Sequence, residues 1–179
     1  IGRFVSEFGF QSMPELSSIQ KFIPENEQSQ FSASLKTHQK HPTGYETITS
    51  YMERDYDVPK NLNDFAYVSQ LLQASGMKLA IEAQRAAKPY TMGSLYWQLN
   101  DCWPVSSWSG IDYYGRPKAL HFAVKRAFKP VLISVKQEAD GFKTTLVSDL
   151  LKPISGRLEI EVVDFSGKLL QRITQAVNL

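Results

Sequence analysis

Glu7 stands near the end of the run Arg3-Phe4-Val5-Ser6-Glu7-Phe8-Gly9, a short aromatic and β-branched stretch ending in glycine. Such a stretch reads as a strand whose C-terminal end carries a carboxylate. A carboxylate there is available for nucleophilic or acid–base work, because parallel barrels gather their catalytic groups at the C-terminal ends of the strands. A strand-end glutamate serves as readily in a structural ion pair, and its address alone rests on fold analogy. A second feature bears on the choice: Trp97, Trp103, Trp108, Tyr113 and Tyr114 crowd into one stretch of sequence. Tryptophan rings offer flat apolar faces to the C–H faces of sugars, beside polar groups that fix orientation. The alternative reading makes these aromatics the lid of a barrel core. Asn100, Asp101 and Trp103 lie in the same loop, where a structural role and a substrate contact are equally open.

The other reactive side chains point to less. A single cysteine, Cys102, forms no disulfide within the chain, and with His38, His41 and His121 so widely placed it builds no zinc site. Cys102 is expected to be packed, with nothing nearby in sequence to activate a thiol, and His41 to be a satisfied loop histidine. Twenty basic residues against eighteen acidic ones leave a formal charge of +2, scattered rather than blocked, which calls for neither nucleic acid nor a membrane as partner. No run approaches the roughly 18 apolar residues of a membrane span. Apolar residues at 42% and charged ones at 21% are the proportions of a chain with a packed core.

The elements that must position Glu7 and the aromatic loop can be read in order. Pro14 opens a helix ending near Lys21, and residues 29–37 and 43–54 form two more, separated by His41-Pro42. Asn61-Leu62-Asn63-Asp64 starts the longest helix, in which Phe65, Val68, Leu72, Leu79 and Ala83 recur at near-helical spacing to about Ala87. Residues 92–99 read as a second buried strand, followed by the aromatic loop and a helix over about residues 117–128. Beyond Pro130 the pattern becomes short alternating strands: residues 131–137 and 142–147 around an Asp140-Gly141 turn, then 157–165 and 168–175 around Ser166-Gly167. The predicted fold class is therefore α/β followed by all-β. Residues 1–129 match the last two βα units of a (β/α)8 TIM barrel, and residues 130–179 the start of an immunoglobulin-like β-sandwich, with about four of its usual seven or so strands. Both ends read as cuts inside domains, Ile1 standing two residues from a strand.

Two segments carry a resemblance. Ser6-Glu7-Phe8-Gly9-Phe10-Gln11-Ser12, with Pro14, resembles the nucleophile segment of the β-mannosidases of glycoside hydrolase family 2. Gly93-Ser94-Leu95-Tyr96-Trp97-Gln98-Leu99-Asn100-Asp101-Cys102-Trp103-Pro104 resembles the eighth-strand segment of the same enzymes, continuing through Ser107-Trp108-Ser109 into Asp112-Tyr113-Tyr114-Gly115-Arg116-Pro117-Lys118. The motifs are long, rich in rare residues and in the family's order, and the likeness extends over about residues 1–135. It implies a retaining exo-β-mannosidase that releases terminal non-reducing β-D-mannose by double displacement, with Glu7 as nucleophile and Trp97 packed beneath the mannosyl ring. A second carboxylate about 5 Å away would act as acid and base. In the family that glutamate follows an asparagine at the end of the fourth strand, upstream of anything in this chain. Asn26-Glu27 comes after the nucleophile, in a polar loop without the strand, and is a decoy. The resemblance implies no metal or organic cofactor. It implies a β-mannoside oligosaccharide as substrate, and the remainder of the parent enzyme to complete the site, so that this chain alone is inactive. Another family 2 glycosidase (β-galactosidase, β-glucuronidase or exo-glucosaminidase) is the nearest alternative. A non-catalytic carbohydrate-binding module built on Trp97, Trp103 and Trp108 is the other. The family's lysosomal, periplasmic and secreted members leave the compartment open.

Overall fold

The computed structural model describes residues 2–179, in two compact units, the first ending at Lys129 and the second spanning Pro130–Leu179. In the first unit, β1 (Phe4–Val5) and β2 (Gly93–Ser94) run parallel, Phe4 opposite Gly93 and Val5 opposite Ser94. Single hydrogen bonds extend the ladder in both directions: Met92 N–H to the Arg3 carbonyl, Leu95 N–H to Val5, and Trp97 N–H to Phe8, each at 2.9 Å. Regular strand is thus shorter than residues 3–9 and 92–99 predict. Each of the two has one hydrogen-bonded neighbour, so pairing persists only where the two backbones stay in step. A Cβ at Gly93 would run into the Phe4 ring, and glycine is what lets the strands close.

Four α-helices lie between these strands in sequence, α1 (Leu16–Ile19), α2 (Ala33–Thr37), α3 (Gly44–Asp55) and α4 (Leu62–Ala86), with a 3-10 turn at Glu25–Glu27; α5 (Ala119–Ala127) follows β2. The start of α4 is set by Asn61, whose side-chain oxygen accepts the Asp64 N–H at 2.9 Å. Its inward face carries Phe65, Ala66, Ser69, Leu72, Gln73, Met77 and Ile81. Leu79, predicted inside, is 63% exposed, and Ala83 is exposed too. The inward stripe admits polar residues that find partners, Ser69 accepting the Met13 N–H and Gln73 binding Ser12 and Phe10, so an apolar-only pattern drifts off the true face. One core joins Met13, Ile19, Leu35, Tyr45, Ile48, Met52, Phe65 and Leu72. A second joins Met77 and Ile81 of α4 to Leu120, Val124 and Ala127 of α5. Phe10, three residues past Glu7, packs against both.

The second unit is two antiparallel hairpins, β3 (Val131–Glu138) with β4 (Gly141–Ser148), and β5 (Ser155–Val163) with β6 (Leu169–Asn178). The first turn is Ala139-Asp140, one residue earlier than predicted, and Gly141 opens β4 at φ 143°. In the second turn the Asp164 carboxylate accepts from the Ser166 hydroxyl at 2.6 Å and from the Ser166 and Lys168 N–H groups at 2.9 Å. The Ser166 hydroxyl leads in holding that carboxyl below its usual range. Gly167 takes the left-handed φ of 85° that the turn requires. Among the described residues no helix is long and apolar enough to cross a membrane.

Candidate active site

The parallel register sets the site. Phe8, immediately after Glu7, accepts the Trp97 N–H, so Glu7 and Trp97 leave the C-terminal ends of two adjacent parallel strands side by side. Glu7 is exposed and Trp97 is 45% exposed. Gly9 keeps the two backbones together. A Cβ there would lie far inside van der Waals contact distance of the Trp97 carbonyl oxygen and would touch the Trp108 ring. The Trp97–Gln98 peptide is cis.

Beyond Gln98 the chain doubles back under the site. Gln98 N–H donates to the Trp108 carbonyl (3.2 Å) and Gly110 N–H to that of Gln98 (3.0 Å), while Ser12 and Ser107 exchange N–H···O bonds of 3.0 and 3.3 Å. Three segments, those after Glu7, after Trp97 and around Ser107, are thereby stitched edge to edge. Asp101, buried, ties two of them. Its Oδ1 accepts from the Ser107 hydroxyl (2.6 Å) and from Gln98 Nε2 (3.1 Å), and its Oδ2 from the Ser109 hydroxyl (2.6 Å). Asp112, also buried, folds the following turn: Oδ1 accepts the Tyr114 and Arg116 N–H groups at 2.9 Å and Oδ2 the Ser18 hydroxyl. Arg116 reaches Ser18 at 2.9 Å and Glu15 at 3.1 Å, which docks the turn onto α1. At the centre is Lys118, whose Nζ donates to the Ser12 carbonyl at 3.1 Å and the Ser107 carbonyl at 3.3 Å. Burial pushes the Lys118 ammonium down to about 7, outweighing the opposite pull of Asp101 and Asp112.

The aromatic residues do not act as one platform. Trp103 is stacked on His38 with ring centroids 5.8 Å apart, and His38 in turn donates from Nδ1 to the Pro104 carbonyl (2.7 Å) and meets Phe22 at 4.7 Å. Trp108 meets His41 edge-on at 6.1 Å. His41 accepts the Thr43 N–H on Nδ1 at 3.2 Å, as a loop histidine does. Lys21 Nζ lies 4.6 Å from the Tyr114 ring centroid. Trp103 and Trp108 are half-buried in these contacts, which leaves Trp97 the most exposed of the three tryptophans. Cys102, predicted to be packed, is exposed; its neighbour Asp101 turns inward to the serine hydroxyls and Cys102 is carried outward. Glu27 is occupied structurally, accepting the Ser34 N–H at 2.9 Å in the first turn of α2, and the bonds from Ser34, its hydroxyl first, hold the carboxyl below its usual range. Tyr45 bonds the Leu35 carbonyl and Ser106 at 3.1 Å each, and burial pushes its phenol up to about 12. Among the described residues no group of three or more His, Cys, Asp or Glu side chains is disposed to hold a metal ion.

Asp101 was open in the sequence and Lys118 had no role there, since a helix read as starting at residue 117 gives the lysine no special place. In the structure Lys118 is the N-cap residue of α5, where a cation faces the positive end of the helix dipole and gains nothing from the helix itself.

No family model matches the chain. It is 34% identical to β-mannosidase B of Aspergillus niger over 97% of its own length and 23% of that protein. It is likewise 34% identical to β-mannosidase A of Aspergillus terreus, over 94% of the chain and 21% of the relative. Among solved structures, the β-D-mannosidase of Dictyoglomus thermophilum superposes with a TM-score of 0.85 at 35% identity, covering 99% of this chain and 23% of that one. The exo-β-D-glucosaminidase CsxA superposes with a TM-score of 0.81 at 19% identity, a likeness of fold alone. The chain thus spans 21–23% of the length of these β-mannosidases.

Proposed function

We propose that the chain, which resembles β-mannosidases along nearly its whole length, is a segment of a retaining exo-β-mannosidase of glycoside hydrolase family 2 with Glu7 as its nucleophile. Its substrate is the terminal non-reducing β-D-mannose of an oligosaccharide. Residues 1–129 are the last two βα units of the enzyme's TIM barrel, and residues 130–179 begin its immunoglobulin-like sandwich. The observation that carries the reading is the parallel pairing of β1 with β2, continued by the Trp97–Phe8 hydrogen bond. That pairing supports a shared address for an exposed carboxylate and an exposed tryptophan at the C-terminal strand ends, where a barrel does its chemistry.

In this mechanism a Glu7 carboxylate oxygen attacks the anomeric carbon while the glycosidic C–O bond breaks. A second carboxylate about 5 Å away gives its proton to the departing oxygen, then takes one from the water that releases mannose from Glu7. Trp97 lies beneath the mannosyl ring and holds it by its apolar face. The second carboxylate belongs to polypeptide outside these 179 residues, so the chain by itself turns nothing over.

The test is kinetic, on the full-length enzyme with aryl β-mannoside, β-galactoside and β-glucuronide. Wild type is expected to prefer the mannoside. Glu7→Ala is expected to lose at least about 10³-fold in kcat and to recover part of it with azide, which takes the place of the missing nucleophile. Undiminished turnover by Glu7→Ala would make Glu7 structural and end the proposal.

A further inference from the structure

Lys118 is 2% exposed. Its position at the start of α5 opposes the helix dipole and its burial strips its hydration, two costs that a surface lysine avoids. The compensation lies in what it holds. Its ammonium bridges the carbonyls of Ser12 and Ser107, the two residues that face each other across an antiparallel bridge, and its own N–H donates to the Gly110 carbonyl at 2.8 Å. Ser12 ends the segment that begins at Glu7. Ser107 and Trp108 belong to the segment hydrogen-bonded to Gln98, next to Trp97. The bridge is therefore where the two backbones of the site are fastened to a third. The charges acting on Lys118 are Asp101 and Asp112, both from the loop between β2 and α5. From α4, packed against α5, come neutral groups: Gln70, which accepts the Ala119 N–H, and Gln73, which binds the Ser12 hydroxyl and the Phe10 carbonyl.

We propose, building on the assignment of Glu7 and Trp97 above, that Lys118 is a positioning residue for the glycosylation step. Its ammonium holds the Ser12–Ser107 bridge closed and so sets Glu7 against the sugar seated at Trp97. The charged form does this best, because hydrogen bonds from an ammonium are roughly twice as strong as those from a neutral amine, and a site that loosens by about 1 Å loses on the order of 100-fold in rate.

The experiment traps the nucleophile in the full-length enzyme with a saturating 2-deoxy-2-fluoro-β-mannosyl fluoride. A Glu7 oxygen forms an ester bond to the anomeric carbon as the C–F bond breaks and fluoride leaves with the electron pair. Fluoride departs with little need of a proton, so the acid partner drops out of the rate. Lys118→Met is expected to lower the trapping rate constant by on the order of 100-fold, with the label still on Glu7. In wild type the rate constant is expected to fall as pH rises through about 7. That fall should be absent from Lys118→Met and should move to lower pH in Asp101→Asn, which removes a charge favouring the ammonium. Trapping by Lys118→Met at the wild-type rate, label on Glu7, overturns the proposal for Lys118 and leaves that for Glu7 standing; label on another residue overturns the assignment of Glu7 itself. Should Lys118→Met show no cooperative melting, wild type decides, and a rate constant level from about pH 6 to about pH 8.5 overturns the role of the ammonium.

Discussion

Glu7 is exposed, whereas Asp101 and Asp112 are buried with every hydrogen bond directed at serine hydroxyls, a glutamine amide or backbone N–H groups. The contrast separates a carboxylate free to meet a ligand from two that shape the loop beneath it. Removing Asp101 leaves the Ser107 and Ser109 hydroxyls without their acceptor, leaves Gln98 Nε2 with the Asn100 carbonyl alone, and takes a counter-charge from Lys118. Asp101→Ala is therefore expected to destabilise the full-length enzyme by about 3–5 kcal/mol in chemical denaturation, whereas Trp97→Ala leaves stability within about 1 kcal/mol and raises KM for the aryl mannoside. Lys118 makes a further prediction with a defined sign. Its folded-state value near 7 lies below the 10.5 of a free lysine, so between those values the unfolded chain binds the extra proton and stability climbs with pH. Denaturation midpoints at about pH 7 and about pH 9 are expected to rise for wild type relative to Lys118→Met; parallel midpoints would mean that the lysine keeps its proton. The strand that carries Glu7 could be read from its aromatic and β-branched run, whereas the roles proposed for Glu7 and Trp97 come from the resemblance of their segments and await the kinetic test. The contacts of Lys118 could not be read, because the Ser12 and Ser107 carbonyls that hold it come from segments far apart in the chain.

At the scale of elements, hydrogen-bonding signals proved more readable than apolar periodicity. Asn61 announced α4 and caps it, and Asn61→Ala is expected to cost about 1 kcal/mol. The apolar pattern placed Leu79 and Ala83 on the wrong face, since the true face alternates hydrophobes with the partnered Ser69 and Gln73. Aromatic and β-branched runs likewise overstated β1 and β2, whose extent is decided by a partner strand that local sequence does not reveal. Glycines supply the sharpest test of how the strands meet. A Cβ at Gly9 would press on the Trp97 backbone, which cannot swing aside as a side chain can, while a Cβ at Gly156 meets nothing within 4 Å. Gly9→Ala is expected to cost about 1–3 kcal/mol and most of the activity; Gly156→Ala is expected to leave both unchanged. Equal melting temperatures for the two variants would contradict the close approach on which the Glu7–Trp97 pairing rests.

For the whole molecule the governing fact is how much apolar surface its strands leave in water. Parallel sheets are normally covered on both faces, yet Phe4 is 59% exposed, Met92 65% and Leu99 58% around the two-stranded sheet of the first unit. In the second unit Ile133, Val135, Phe142, Leu170 and Ile173 are exposed on hairpins of two strands each. Outer strand edges in both units present backbone groups able to pair with another chain. The β-mannosidases that this chain matches are more than four times its length, and in the reading proposed here their remaining polypeptide supplies the missing strands, the covering faces and the proton donor together. The isolated 179-residue chain is then expected to self-associate and to release no aryl alcohol from an aryl β-mannoside. Sedimentation and a chromogenic assay on the purified chain test the two consequences separately. Association without turnover fits a segment that needs its surroundings both to fold and to react. A monodisperse chain that is inert would leave the chemistry intact while showing that the exposed faces tolerate water. Robust turnover would mean that a second carboxylate within these residues serves as acid, and the assignment of the proton donor to other polypeptide would fall.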